Sequence, residues 1–174
     1  MRCSVSISTT ESAYGTGVSE TFRLYVVDEN KLPAPMPGAS DDEKYSRLVK
    51  AVVEQGGLWG EVRLGVRLFA QVLELIDHEI GATGFLPVLA FNNSPHDILG
   101  ADSSCPAFGY FNPEQIRDLQ SCLKAIPTEL MEAAGRNISG SVETVFWTLR
   151  AAVDEAARRR YALAVIHGTP RQAT

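Results

Sequence analysis

The feature that most constrains the fold is a striped helix that leads directly into an apolar strand near the end of the chain. Apolar residues recur at helical spacing at Val142, Val145, Phe146, Leu149, Val153, Ala156 and Ala157. A stripe of this kind must pack on another surface. The following run, Tyr161 to Ile166, is short and apolar, as is typical of a buried strand. The pair predicts a helix over 141–160 that packs on a β-sheet.

Three more helices are predicted from capping signals and apolar spacing. Ser40 to Glu43 forms a capping box, and a stripe follows over 41–54. Asn112-Pro113-Glu114 begins another helix, with Asn as the cap and Pro at the first helical position. A wide apolar stripe predicts a helix over 61–80 that is buried on more than one side.

Strands are predicted between these helices, so the fold class is α+β. The segments with strand character are Cys3–Ser8, Thr21–Val27, Phe85–Phe91 and Phe108–Phe111. The first two are candidates for a hairpin with a long loop. We therefore expect a single α+β domain over residues 1–174, with three to four helices packed on a small mixed β-sheet. A proline-rich connector is expected at 30–39 and a flexible tail at 168–174.

Composition excludes several classes of protein. The 174 residues are 45% hydrophobic and 21% charged, as in ordinary globular domains, and no window is apolar enough for a membrane span. The net charge of −5 argues against nucleic acid as a partner. Three cysteines without C-x-x-C spacing, and a beginning without an apolar signal segment, predict a reducing cytoplasm. We expect no metal and no cofactor, since the three histidines are far apart.

The irregular stretch 92–105 is the candidate site. Its polar side chains are Asn92, Asn93, His96, Asp97, Asp102 and Cys105. The Asn and Asp side chains suit a turn-rich loop, and Asn92, Asn93, His96, Asp97 and Asp102 are then candidate binding residues on a contact surface. Alternatively, His96, Asp97 and Cys105 are catalytic, because an imidazole beside a thiol stabilises the nucleophilic thiolate.

From Phe85 onwards the order of motifs resembles the YfbM-like family of small bacterial proteins of unknown function. The resemblance rests on the Phe85–Ala90 strand, the Phe108–Ile116 segment and the alanine-rich Ala151–Ala157 helix before the closing strand. It implies an α+β domain with helices on a small sheet. It supplies no catalytic residues. The first half of the chain departs from the family, which begins with a short strand and an early helix.

These observations favour a non-enzymatic cytoplasmic binding protein, such as an immunity protein against a toxin domain or a regulatory partner of another protein. The expected partner is a protein, and neither nucleic acid nor a membrane is expected. The alternative is a small hydrolase or transferase that uses His96, Cys105 and a nearby acidic residue. The sequence leaves the oligomeric state open.

Overall fold

The computed structural model describes residues 19–65, 74–75, 78, 108–129 and 141–168. The strands are β1 (Ser19–Val27), β2 (Gly57–Gly65), β3 (Phe108–Phe111) and β4 (Ala162–His167). The helices are α1 (Asp41–Gln55), α2 (Pro113–Ala125) and α3 (Ser141–Arg159). The strands form one sheet in the order β2-β1-β4-β3, and helices pack on both of its faces. The predicted α+β fold class is confirmed.

All three pairings among the described strands are antiparallel, whereas the sequence predicts a mixed sheet. The difference arises because alternation along a strand shows which face is buried but not the direction of its neighbours. β1 is flanked by β2 along 19–26 and by β4 along 22–27. Both sides of β1 are thus paired along 22–26. Cys3–Ser8, which the sequence predicts as a hairpin partner of β1, lies outside the described residues.

Alternation along the strands divides the core into two layers. On one face, Phe22, Leu24 and Val26 of β1 pack with α2 and α3. On the other face, Tyr25 and Val27 pack with Tyr45, Leu48 and Val52 of α1. Because successive side chains of a strand point to opposite faces, one apolar strand serves both layers.

Capping fixes where the helices begin, as the sequence predicts. The Ser40 amide donates to the Glu43 carboxylate at 2.9 Å, and the Ser40 hydroxyl accepts from the Glu43 amide at 3.4 Å. The Asn112 side chain accepts from the amides of Glu114 and Gln115 at 3.0 and 2.8 Å. α3 ends at Arg159, and Arg160, which follows it, adopts a left-handed conformation with φ 60°. Val145, Phe146, Leu149 and Val153 of the α3 stripe are buried, as predicted.

The helix predicted over 61–80 is wrong at its beginning, because 57–65 forms β2. Val62 faces Phe22 across the sheet and is buried with the α3 layer. The spacing from Val62 to Val66 suits a helix, but pairing with β1 decides the local structure. Further along the range, Glu74, Leu75 and His78 are helical, and Leu75 packs against the α2–α3 core.

The predicted connector at 30–39 begins in a short 3-10 turn, Glu29–Lys31, and continues without regular structure to the cap of α1. The predicted strand Phe85–Phe91 and the tail beyond Gly168 lie outside the described residues. Among the helical segments that the structure describes, none has the length and apolar character needed to cross a membrane.

Candidate protein-interaction surface

The candidate residues of the 92–105 stretch lie outside the described part of the chain. They are Asn92, Asn93, His96, Asp97, Asp102 and Cys105. Their roles in binding or catalysis therefore stay predictions. Cys122 is a free thiol buried in the α2–α3 core. Within the described ranges, no group of three His, Cys, Asp or Glu side chains is arranged to hold a metal ion.

The described residues point instead to a surface around β2. This strand pairs with β1 and, among the described strands, has no neighbour on its other side. An edge strand offers unpaired backbone groups to another chain. β2 is also nine residues long, more than twice the length of β3 at the opposite edge.

Large apolar side chains are exposed on β2 and on the two helices that flank it, α1 on one face of the sheet and α3 on the other. The exposed fractions are 41% for Val53, 54% for Leu58, 43% for Trp59 and 42% for Trp147. We call these four residues the β2 surface. Leu58 and Trp59 belong to β2, Val53 lies in the last turn of α1 just before it, and Trp147 lies on α3, which packs over β2. Exposed apolar residues that cluster rather than scatter are typical of interaction sites.

Two glycines bring these elements together. Gly56 alone joins α1 to β2, and a Cβ at this position would lie 2.5 Å from the Val52 carbonyl oxygen. Gly60 lies under α3, where a Cβ would collide with the methyl group of Thr148. Trp147 precedes Thr148 and Trp59 precedes Gly60, so each tryptophan is next to a residue of this close contact.

An irregularity in the strand pairing accompanies the exposure of Trp59. Leu24 lies opposite Gly60 and Tyr25 lies opposite Leu58, so Trp59 is an extra residue on the β2 side. A bulge of this kind bends the strand and redirects a side chain. It is therefore a local cause of the exposed position of Trp59.

Trp147 is positioned by its neighbours on α3. The Arg150 guanidinium carbon lies 5.3 Å from the centre of the indole ring. The Phe146 ring lies edge-on at 5.3 Å, with an angle of 70° between the planes. Cation–π and edge-to-face contacts of this kind hold an exposed ring in place.

An ion-pair cluster continues the edge beyond the apolar residues. Arg23 Nε donates to Glu61 at 2.8 Å, and Arg63 Nε donates to the same carboxylate at 3.0 Å. Arg23 also donates to the Gly168 carbonyl at 3.2 Å. The hydrogen bond from Arg23, followed by that from Arg63, lowers the pKa of Glu61 below its ordinary value. The cluster gives this edge fixed charges of both signs.

Other polar clusters have structural explanations. The Tyr110 hydroxyl donates to Glu29 at 2.6 Å, and burial together with this bond raises the pKa of Tyr110. Glu155 accepts from Arg158 at 2.6 and 2.8 Å and also from Arg159. The hydrogen bond from Arg158 is the main cause that lowers the pKa of Glu155 to about 2. Two arginines of the Arg158–Arg160 run are thus engaged within α3.

Sequence reasoning missed the β2 surface because the stripe from Val62 onwards predicts a helix. The signal that could have found it is the strand alternation of Leu58, Val62 and Leu64, which is bracketed by Gly57 and Gly65.

No protein-family model, curated protein or solved structure matches this chain. The resemblance to the YfbM-like family therefore stays a prediction. The function must be argued from the chain's own surface.

Proposed function

We propose that this protein is a non-enzymatic, cytoplasmic protein-binding module and that the β2 surface contacts its partner. An immunity protein against a toxin domain and a regulatory partner of another protein are both functions of this type. The observation that carries the proposal is that the large apolar side chains exposed among the described residues, Val53, Leu58, Trp59 and Trp147, all belong to one edge strand or to the helix that flanks it on either face.

The composition of the surface supports contact with protein. Tryptophan and arginine are enriched among the residues that dominate binding energy at protein interfaces. Trp59, Trp147 and Arg150 are residues of this kind, and Arg150 already contacts the Trp147 ring.

The charge of the chain favours one class of partner. A net charge of −5 attracts positively charged proteins and accelerates their association, and the attraction weakens as salt rises. Toxin domains that act on nucleic acid are basic for the same electrostatic reason. We therefore propose a basic protein as the partner.

The test compares the wild-type protein with the double variant Leu58→Ser/Trp59→Ser. Partners are captured from the native cytoplasm on immobilised wild type, identified, purified and titrated against both forms by calorimetry. Truncation of interface anchors should weaken binding by at least about tenfold. Lys50→Ala is the matched control, because this α1 side chain is 69% exposed and lies outside the β2 surface. Equal affinity for wild type and double variant would contradict the proposal.

Fluorescence provides a second measurement on the same surface. Trp59 and Trp147 are the two tryptophans of the whole chain, so intrinsic tryptophan emission reports on the β2 surface alone. Binding of the purified partner should shift the emission to shorter wavelength and reduce quenching by acrylamide. Trp59→Phe and Trp147→Phe, tested separately, assign the change to one ring or the other.

The alternative of a small hydrolase or transferase is tested at Cys105. If His96 activates this thiol, iodoacetamide should alkylate Cys105 rapidly at pH 6, and His96→Ala should abolish that reaction. If Cys105 belongs to a binding loop, alkylation should be slow at pH 6 and accelerate as the pH rises. Peptide mass mapping separates Cys105 from Cys3 and Cys122.

A further inference from the structure

The backbone groups of β2 that point away from the sheet can be assigned from the hydrogen bonds of β1. The Gly168 amide donates to the Thr21 carbonyl, so the polar backbone groups of Thr21 face β4. The N–H and C=O groups of successive residues point to alternate sides of a strand, so those of Phe22 face β2, where Val62 lies directly opposite. The backbone groups of Val62 therefore face β1. Those of its neighbours Glu61 and Arg63 face away from the sheet. The outer edge of β2 therefore offers donors and acceptors at two residues of opposite charge.

A second copy of the chain can use this edge in a small number of registers. Antiparallel pairing of β2 with another β2 must join outward-facing residues to each other. The three central choices set Glu61 against Glu61, Arg63 against Arg63, or Glu61 against Arg63. Opposed like charges destabilise a strand pair and opposed unlike charges stabilise it. Only the third register pairs unlike charges, and it does so twice.

We infer that two copies of the chain associate through β2, antiparallel, with the two-fold axis at Val62. Glu61 of each copy then lies opposite Arg63 of the other. The two four-stranded sheets become one antiparallel sheet of eight strands, and both α3 helices lie on the same side of it. Arg63 suits this role because its side chain is 72% exposed and can reach across the junction.

This association goes beyond the proposed function and does not depend on it. Trp59 lies three residues from the axis, towards the outer end of the paired segment. The dimer therefore carries two β2 surfaces, one at each end of the junction. A protein with two linked binding surfaces gains avidity for a partner that presents two epitopes.

The test is sedimentation equilibrium of the full chain at concentrations up to about 100 μM, which detects complexes far weaker than a 1 μM Kd. The expected result for wild type is a monomer–dimer equilibrium that approaches twice the chain mass of 18.9 kDa. Arg63→Glu sets Glu against Glu at both pairs and should weaken the dimer at least about tenfold. Lys50→Glu makes the same change of charge on exposed α1 and should leave the dimer unchanged.

Mixing two defective variants tests the junction again. Glu61→Lys sets a lysine against Arg63 at both pairs, so this variant should also fail to pair with itself. In an equal mixture of Arg63→Glu and Glu61→Lys, a heterodimer sets Glu61 of one copy against Arg63 of the other, and the introduced Glu against the introduced Lys. Both pairs then join unlike charges, so the mixture should form a heterodimer although neither variant dimerises alone. A mixture that stays monomeric would contradict pairing through β2.

The variant that restores the pairing carries both changes in one chain. Glu61→Lys/Arg63→Glu exchanges the two charges, so each Lys then opposes a Glu of the other copy and the dimer should return. Thermal unfolding of each variant shows whether it is folded. Glu61→Lys removes the hydrogen bond between Arg23 and Glu61. If this loss unfolds both variants that carry Glu61→Lys, the dimer is tested by the sedimentation of Arg63→Glu against that of Lys50→Glu.

Two further results would overturn the inference. A wild-type chain that stays monomeric throughout the concentration range would overturn it. The outer edge of β2 would then be covered by other residues of the same chain or would pair only with a different protein. A dimer that Arg63→Glu leaves intact would place self-association on another surface. The readout is the mass of the protein alone, so partner binding by the β2 surface is decided separately, by the titration of Leu58→Ser/Trp59→Ser.

Discussion

The two edges of the sheet differ sharply in how they are protected. β3 is four residues long, and all four are buried. Phe108 stacks near Tyr110 at 6.4 Å and meets the Tyr45 ring edge-on at 6.1 Å. β2 is nine residues long and exposes Leu58 and Trp59 to solvent. One edge strand is short and buried, and the other is long and exposed in the described part of the chain.

The two edges assign stability and recognition to different parts of one sheet. Short, buried edge strands leave little backbone for another chain to pair with, whereas a long exposed edge is a template for association. Substitutions at the β3 edge should therefore change the free energy of unfolding. Substitutions of the exposed β2 side chains Leu58, Trp59 and Arg63 should change association and leave unfolding nearly unaffected.

Phe108→Ala should have the largest effect on stability. Phe108 is one of the largest fully buried side chains, and its removal leaves a cavity between β3 and α1. The free energy of unfolding should fall by about 3–5 kcal/mol. Urea unfolding followed by circular dichroism measures this. A loss below about 1 kcal/mol would mean that the β3 edge is not closed as described.

Tyr110→Phe should have the next largest effect. It removes the hydroxyl that donates to Glu29 while keeping the ring, and hydrogen bonds to charged groups contribute about 1.5–3 kcal/mol. The same unfolding assay measures the change. Glu29→Gln keeps an acceptor without the charge and should cost less. A larger loss from Glu29→Gln than from Tyr110→Phe would show that Glu29 has a second role.

Asn112→Ala tests the cap that follows β3 directly. The Asn112 side chain satisfies two amides at the start of α2, so its loss should lower the free energy of unfolding by about 0.5–2 kcal/mol. Ser40→Ala makes the equivalent change at α1, where one amide is bonded. We expect Asn112→Ala to be the more damaging. The reverse order would indicate that α1 depends more on its cap than α2 does.

Trp59→Ala, at the β2 edge, should have the smallest effect on stability. Because the Trp59 side chain is largely exposed, the free energy of unfolding should change by about 0.5 kcal/mol or less. Binding to the partner should be lost in the same variant. A loss of stability as large as that of Phe108→Ala would show that Trp59 supports the fold rather than a surface.

Much of the fold could be predicted from local signals. The caps at Ser40 and Asn112 are complete in the sequence, because a capping box needs residues only three positions apart. β4 and α3 could also be predicted. A strand that is buried on both faces has a continuous run of apolar residues, and a helix that is buried on one face has an apolar stripe. These features depend on neighbours along the chain.

The features that could not be predicted depend on neighbours in space. β2 has strand alternation at Leu58, Val62 and Leu64, but Gly60 interrupts the pattern, and the reason for a glycine there appears only in space, where it lies beneath Thr148 of α3. The β2 surface also depends on neighbours in space, because no local signal distinguishes an exposed Trp59 from a buried one. Its exposure depends on the pairing that makes Trp59 an extra residue opposite β1. The 92–105 stretch stands out only by its polarity, and its predicted roles remain to be tested.

The single-residue connection at Gly56 has a consequence for the thermodynamics of recognition. With one residue between α1 and β2, and with no room there for a side chain, Val53 and Leu58 are held at a fixed separation before any partner arrives. A surface that is already ordered loses little conformational entropy on binding, and more of the contact energy is retained as affinity. Lengthening this connection by inserted glycines should therefore weaken association chiefly through a less favourable entropy, even if every contacting side chain is retained.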